Sequence, residues 1–238
     1  MSKEKIIVAL DISTVDEARE IVTELKTSVG AFKIGLQLFT AFGASFVREL
    51  VEQDIKVFLD LKFHDIPNTV AKASVEVAKL GVWMFNVHAI GGGEMLLKTV
   101  EDVRETCDKN NLIQPKIIGV TVLTSSNDVT LREVGIFNET SAQVLSLAKL
   151  VAKYGLDGVV ASPNEVSLIR KNINDEKFLI VTPGIRPIFA TKDDQKRVMS
   201  PKEAVISGSD YLVIGRPILQ SVNLKNAVKE ILKEIEDE

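Results

Sequence analysis

Three charged residues, Asp60, Lys62 and Asp65, lie within the stretch FLDLKFHDIPNT at positions 58–69. The stretch begins as a hydrophobic strand and ends as a loop. A charge removed from water inside a strand costs several kcal/mol unless it is paired. An ammonium held between carboxylates can do chemistry there. It can stabilise negative charge developing on a neighbouring atom and then hand that atom a proton.

Side-chain alternation indicates where these charges point. Val57, Leu59 and Leu61 share one face of the strand, and Phe58, Asp60 and Lys62 share the other. The all-apolar set should meet a helix layer, which turns Asp60 and Lys62 inward. In AFKIG, Phe32 and Ile34 face helices while Lys33 faces inward with Ala31 and Gly35. In the first strand, Ile7, Ala9 and Asp11 share the inward face. Four charges, Asp11, Lys33, Asp60 and Lys62, thus converge from three successive strands. A buried structural ion network is the competing reading. Such networks stabilise weakly, which favours a functional cluster. Asp65 lies beyond the strand. It is either a solvated loop acid or a group that reaches a neighbour's pocket in a symmetric oligomer.

The elements that must carry these residues alternate along the chain. Strand candidates are IIVAL (6–10), AFKIG (31–35), KVFLDL (56–61), MFNVH (84–88), KIIGVTVL (116–123), DGVVAS (157–162), KFLIVTP (177–183) and YLVIG (211–215). Amphipathic helical patterns separate them, and that alternation implies parallel strands with crossover helices. Eight units in 238 residues predict an α/β protein, a closed (β/α)8 TIM barrel forming a single domain over 1–238. An open doubly wound sheet is the alternative. It would more naturally have fewer strands, and the first turn lacks G-x-G-x-x-G. In a barrel the four charges sit at the C-terminal mouth, where active sites are built. Thr14 and Glu17 have capping-box spacing. Asn68 is placed to cap the helix that follows, with Pro67 just outside it. The stretch 184–200 has weak periodicity and reads as a long, functional loop.

The last two strands lead into VTPGIRP (181–187) and VIGRPI (213–218). Barrels often bind phosphate at these two loops. Gly215 permits close backbone approach, Pro217 can open a helix at its first position, and Arg186 and Arg216 each offer a planar fork. Gln195, in the long loop, is placed to close over the ligand. Two solvated arginines are the competing reading, and the occurrence of both motifs at the expected loops favours the phosphate site. Thr124 and Ser125 follow the fifth strand and can donate hydrogen bonds at the mouth, or simply cap a turn. His64 and His88 lack metal-helix spacing and read as structural. Gly91–Gly93 read as a tight strand-to-helix turn.

Composition narrows the function classes. Hydrophobic content of 45% and charged content of 26% describe a globular chain. Net charge −4 and 5% aromatics argue against a nucleic-acid partner. One cysteine, Cys107, allows no internal disulfide and no multi-cysteine zinc site. The N-terminal MSKEKIIVALD has no signal-peptide core, and no apolar run is long enough to cross a membrane. The expectation is a soluble cytoplasmic protein.

The run Asp60-Leu61-Lys62-Phe63-His64-Asp65-Ile66-Pro67-Asn68-Thr69 resembles the D-x-K-x-x-D signature of the orotidine 5′-phosphate decarboxylases. VALD, FKIG, VTPGIRP and IGRPI extend the resemblance over the full chain. The D-x-K-x-x-D core is shared with a wider suprafamily of sugar-phosphate enzymes, and the D-I-P-N-T continuation with the arginine loops narrows it. The resemblance implies cofactor-free conversion of orotidine 5′-phosphate to UMP and CO2, the last step of pyrimidine nucleotide synthesis, in a homodimer with shared sites. It implies that Lys62 protonates C6, Asp60 belongs to the charged array, and Lys33 links that array to the ribose. It assigns Asp11 to ribose hydroxyls, Thr124 to the base, and Arg186, Gln195, Gly215 and Arg216 to phosphate. It brings Asp65 and Thr69 from the partner subunit. The alternatives are a Mg-dependent sugar-phosphate decarboxylase or aldolase, such as a 3-keto-gulonate 6-phosphate decarboxylase or hexulose-phosphate synthase, and a non-catalytic phosphate-binding barrel.

Overall fold

Short runs rich in Val and Ile form eight strands, which a computed structural model, describing residues 2–190 and 199–236, places in one closed sheet. The strands are β1 (Ile6–Ala9), β2 (Ala31–Gly35), β3 (Val57–Phe63), β4 (Met84–His88), β5 (Lys116–Val120), β6 (Gly158–Val160), β7 (Leu179–Pro183) and β8 (Tyr211–Ile214). They pair in parallel in sequence order, and β8 returns to pair with β1. Closure removes both sheet edges. The (β/α)8 barrel expected from the alternation is the fold observed, and the open-sheet alternative is not.

Two cores follow from the alternation. Ile7, Ala9, Ala31, Phe58, Met84, Ile118, Val181 and Val213 fill the barrel interior. Val8, Phe32, Ile34, Val57, Leu59, Phe85 and Val87 face outward into the larger layer beneath the helices. The inner layer fills the middle of the barrel, which leaves its charged clusters at the ends.

The helices supply the outer half of that second core. They are α1 (Val15–Leu25), α2 (Leu36–Val51), α3 (Pro67–Lys79), α4 (Gly92–Asn110), α5 (Asp128–Glu133), α6 (Thr140–Lys153), α7 (Val166–Asn172), α8 (Pro201–Ile206), α9 (Arg216–Leu219) and α10 (Leu224–Glu236). In α1, Ala18, Ile21, Val22 and Leu25 recur at helical spacing and are buried. Its Thr14 hydroxyl accepts the Glu17 N–H at 3.3 Å, as the capping spacing predicts. Asn68 is not a cap. Pro67 itself starts α3, Ile66 precedes it, and no side-chain cap is made. Proline's fixed φ suits a first helical turn, where its missing N–H costs nothing. The short α5, capped by Asn127 onto the Thr130 N–H, was not foreseen because six residues carry too little periodicity to read. Helix α9 begins at Arg216, one residue before the proline expected to open it. No helix among the described residues is long and apolar enough to cross a membrane.

Candidate active site

A cavity of about 440 Å3 opens at the C-terminal mouth of the barrel. Asp11, Lys33, Asp60, Lys62, Thr124, Arg186, Gly215 and Arg216 all line it. Its floor is apolar, built from Ala9, Phe58, Val120, Val160 and Val213.

Along one wall the charges form an alternating chain. Asp11 Oδ1 lies 3.0 Å from Lys33 Nζ. Lys33 Nζ lies 3.4 Å from Asp60 Oδ2. Asp60 Oδ1 accepts from Lys62 Nζ at 2.7 Å. Lys33 is buried, with a side chain 9% exposed, whereas Lys62 at 28% faces the cavity. Gly35 leaves room for this chain, since a Cβ there would stand 3.0 Å from Lys33 Nζ and 3.5 Å from Asp11 Oδ1. Burial pushes the Asp60 carboxyl up. The charges of Lys33 and Lys62, with hydrogen bonds from Lys62 and Asn86, outweigh burial and hold it below the ordinary carboxylate range.

The backbone at Lys62 departs from a regular strand. Its φ is +54°, in the left-handed region that non-glycine residues avoid. That conformation costs about 1–2 kcal/mol. The β3–β4 register shifts between Leu59 and Phe63 at the same place. Lys62 N–H donates to Asn86 Oδ1 at 2.8 Å, and Asn86 Nδ2 donates to Asp60 Oδ1 at 2.7 Å. Asn86 escaped the sequence reading because it sits mid-strand in MFNVH like any half-buried residue. The available signal was a lone amide in an apolar strand, which must find partners when buried.

After β7, the stems of the long loop clasp one another. Ile185 bridges to Met199, and the Arg186 N–H donates to the Met199 carbonyl at 2.9 Å. The Ile188 N–H donates to Glu234 of α10 at 3.2 Å. Arg186 is thereby fixed in the same cavity as Arg216. Gln195 lies outside the described residues.

Asp65 and Thr69 do not line this cavity. Both are exposed, and Asp65 Oδ1 accepts the Ile66 N–H at 2.6 Å. His64 and His88 pack with tilted rings, at 48° and with centroids 5.6 Å apart, near the charge chain. Burial, followed by the charges of His64 and Lys62, lowers the His88 imidazole below its ordinary value. Gly91 and Gly93 are closely packed at the turn into α4, and Gly92 between them adopts φ +85°. A Cβ on Gly91 would meet Met95 Sδ, and one on Gly93 would meet the Tyr154 ring, both at 2.3 Å.

Fold and cavity together define a barrel enzyme class that works with fixed ammonium and carboxylate groups above an apolar floor. A profile of the Orotidine 5'-phosphate decarboxylase / HUMPS family matches residues 4–231. The chain belongs to that family. It is 52% identical to an orotidine 5'-phosphate decarboxylase of Geotalea daltonii, over 98% of this chain and 97% of that protein. Against one from Legionella pneumophila it is 50% identical, over 97% of this chain and 99% of the relative. The crystal structure of orotidine 5'-phosphate decarboxylase from Lactobacillus acidophilus superposes with a TM-score of 0.85 at 38% identity, covering 98% of this chain and 99% of that one.

Proposed function

We propose that this protein decarboxylates orotidine 5′-phosphate to UMP and CO2, the last step of de novo pyrimidine nucleotide synthesis, acting in the cytoplasm without a metal or cofactor. The observation that carries this reading is the Asp11–Lys33–Asp60–Lys62 chain ending at a cavity-facing ammonium. Cleaving the bond from C6 to the carboxylate leaves an electron pair on C6 with no carbonyl placed to take it up as an enolate. General acid–base help of about 10²–10⁴-fold is too small for that step. Lys62 Nζ, already held by Asp60, faces the developing charge with no reorganisation required. As CO2 departs, one Lys62 N–H proton passes to C6, giving UMP, and solvent returns a proton to the amine. Lys33 and Asp11 hold the ribose, Thr124 the base, and Arg186, Gln195, Gly215 and Arg216 the phosphate. Energy from phosphate binding, remote from C6, orders the array around the reacting centre.

The assay follows loss of orotidine 5′-phosphate absorbance with and without excess EDTA. Turnover unchanged by EDTA is expected. Turnover that EDTA abolishes and Mg²⁺ restores, or turnover of 3-keto-gulonate 6-phosphate instead, would show the metal-dependent alternative.

We further propose a homodimer in which the partner's Asp65 and Thr69 complete each cavity. Both residues lie outside their own chain's cavity. Ile66, next to Asp65, is exposed and apolar, as are Ile90 and Leu97 beside and on α4, the helix that packs against α3. Lys62→Ala and Asp65→Ala variants, each nearly inactive, test this. In a mixed dimer one site carries both lesions and the other none. Random exchange should therefore restore about a quarter of full activity after co-refolding equal amounts. Mixed dimers confirmed by differential tags yet inactive would rule out the shared site.

A further inference from the structure

Between Leu59, opposite Phe85, and Phe63, opposite Val87, strand β3 carries Asp60, Leu61 and Lys62, where β4 carries only Asn86. The surplus residues break the regular ladder, so the Lys62 N–H loses an ordinary backbone partner. The Asn86 side chain takes it instead, and the other end of the same amide holds Asp60. Asn86 is 1% exposed and buried against the wall of the cavity. It does not itself line the space that substrate would occupy.

We propose that Asn86 is a positioning residue for the decarboxylation, fixing through one buried amide both the left-handed backbone of Lys62 and the carboxylate of Asp60. This rests on the function proposed for the cavity. The geometry requires an acceptor at one end of the side chain and a donor at the other. An amide offers both at once without charge, and no aliphatic side chain offers either. The charged groups around it are few. Asp60 and Lys62 face it from β3, and Lys33 of β2 shares the Asp60 carboxylate. His88 stands two residues along β4, and on β5, paired to Asn86 at Ile118, Lys116 sits opposite Met84.

Two substitutions separate positioning from simple packing. Asn86→Leu preserves approximate bulk and removes both hydrogen bonds. Its kcat should fall by about 10²-fold, because small misplacements of a reacting group have effects of that size. KM for orotidine 5′-phosphate and Kd for UMP should stay within about threefold, since the binding groups are untouched. Asn86→Asp gives a pH signature. The protonated acid can accept from Lys62 N–H and donate to Asp60, as the amide does. Its ionised form sets two carboxylates against each other, which raises one of them above its usual ~3.9. The ratio of its kcat to that of the unsubstituted protein should therefore fall at least about tenfold from pH 5 to pH 8. A crystal structure of Asn86→Leu should show Lys62 leaving the left-handed region, a readout independent of turnover.

A kcat for Asn86→Leu within about threefold of the unsubstituted protein would overturn the inference. So would a pH-independent ratio for Asn86→Asp, or an unchanged Lys62 backbone in Asn86→Leu. Turnover by the unsubstituted protein in the same assay shows which idea has failed. If it is active and the Asn86 variants match it, only the positioning role falls.

Discussion

The barrel holds a charge cluster at each end, and the two are built on opposite plans. At the N-terminal end, Arg170 donates from Nε and Nη2 to the Gly208 carbonyl, from Nη1 to the Phe178 carbonyl, and from Nη2 to Asp210 Oδ2 at 2.5 Å. Asp210 Oδ2 in turn accepts the Ile180 N–H at 2.7 Å. All three guanidinium nitrogens are committed to the chain's own acceptors. At the mouth, the ion pair from Lys62 to Asp60 is nearly as short, at 2.7 Å. The ammonium there has protein on one side and a cavity on the other. Ion-pair distance does not separate a structural clamp from a catalytic array. What separates them is where the remaining hydrogen-bonding capacity points.

That contrast can be broken by substitution. The largest effect is expected from Lys62→Ala, which should lower kcat by more than about 10³-fold, a loss above ~4 kcal/mol, with the melting temperature nearly unchanged. Retention of more than about a hundredth of the original kcat would remove Lys62 from its role. Arg216→Ala should lower kcat/KM by roughly 10²–10⁴-fold, because a charge-assisted bidentate contact and its share of closure energy are lost. Equal kcat/KM for orotidine and its phosphate in the unsubstituted protein would refute the phosphate assignment of both arginines.

Arg170→Met should invert the pattern. It strands the Asp210 carboxylate and two carbonyls, for a stability loss of about 2–3 kcal/mol, less than for a fully buried pair because the site is partly exposed. A melting temperature lower by roughly 4–12 °C with kcat/KM preserved is the expected result. A normally stable Arg170→Met protein that has lost turnover would erase the distinction between the two ends.

The smallest effect concerns His88. Its folded pKa is lowered, so the unfolded chain binds the proton first as pH falls below about 6.5. Stability should therefore rise with pH from the folded value up to about 6.5. His88→Gln should flatten urea-derived stability in that window. Asp60 acts in a lower one. Its folded pKa is also lowered, so it stabilises above about 3.9 and that contribution is lost as pH falls through the folded value. An unaltered profile in His88→Gln would assign the neutral-side slope to other groups.

The same contrast explains how much could be read in advance. Strands such as Ala31–Gly35 and Met84–His88 were legible to the residue, because apolar alternation is a local property of the chain. Asp11, Lys33, Asp60 and Lys62 were legible as one cluster for the same reason. The register shift was not. Alternation alone puts Asp60 and Lys62 on one face, and nothing local announces the left-handed turn at Lys62 that accompanies it. Asn86 could not be assigned because its partners lie 24 and 26 residues away and exist only once β3 pairs with β4. Asn68 misled because a good capping residue was weighed above the proline beside it, which sets the helix start by its own φ. Asp65 and Thr69 are exposed and line no part of their own chain's cavity, so the role proposed for them depends on a second copy that alternation within one chain cannot announce.

The alternating order of the four mouth charges also governs how substrate arrives. Two carboxylates and two ammoniums sum to zero, and each negative group lies within 3.4 Å of a positive one. Their field cancels over a few ångströms and cannot draw an anion from solution. The chain as a whole carries net charge −4, which repels one. Under the phosphate assignment proposed above, a phosphate ester is held instead at short range by Arg186 and Arg216, which line the same cavity. Screening by salt acts on the repulsion from the net negative chain, while the short, internally compensated contacts around Lys62 are left almost untouched.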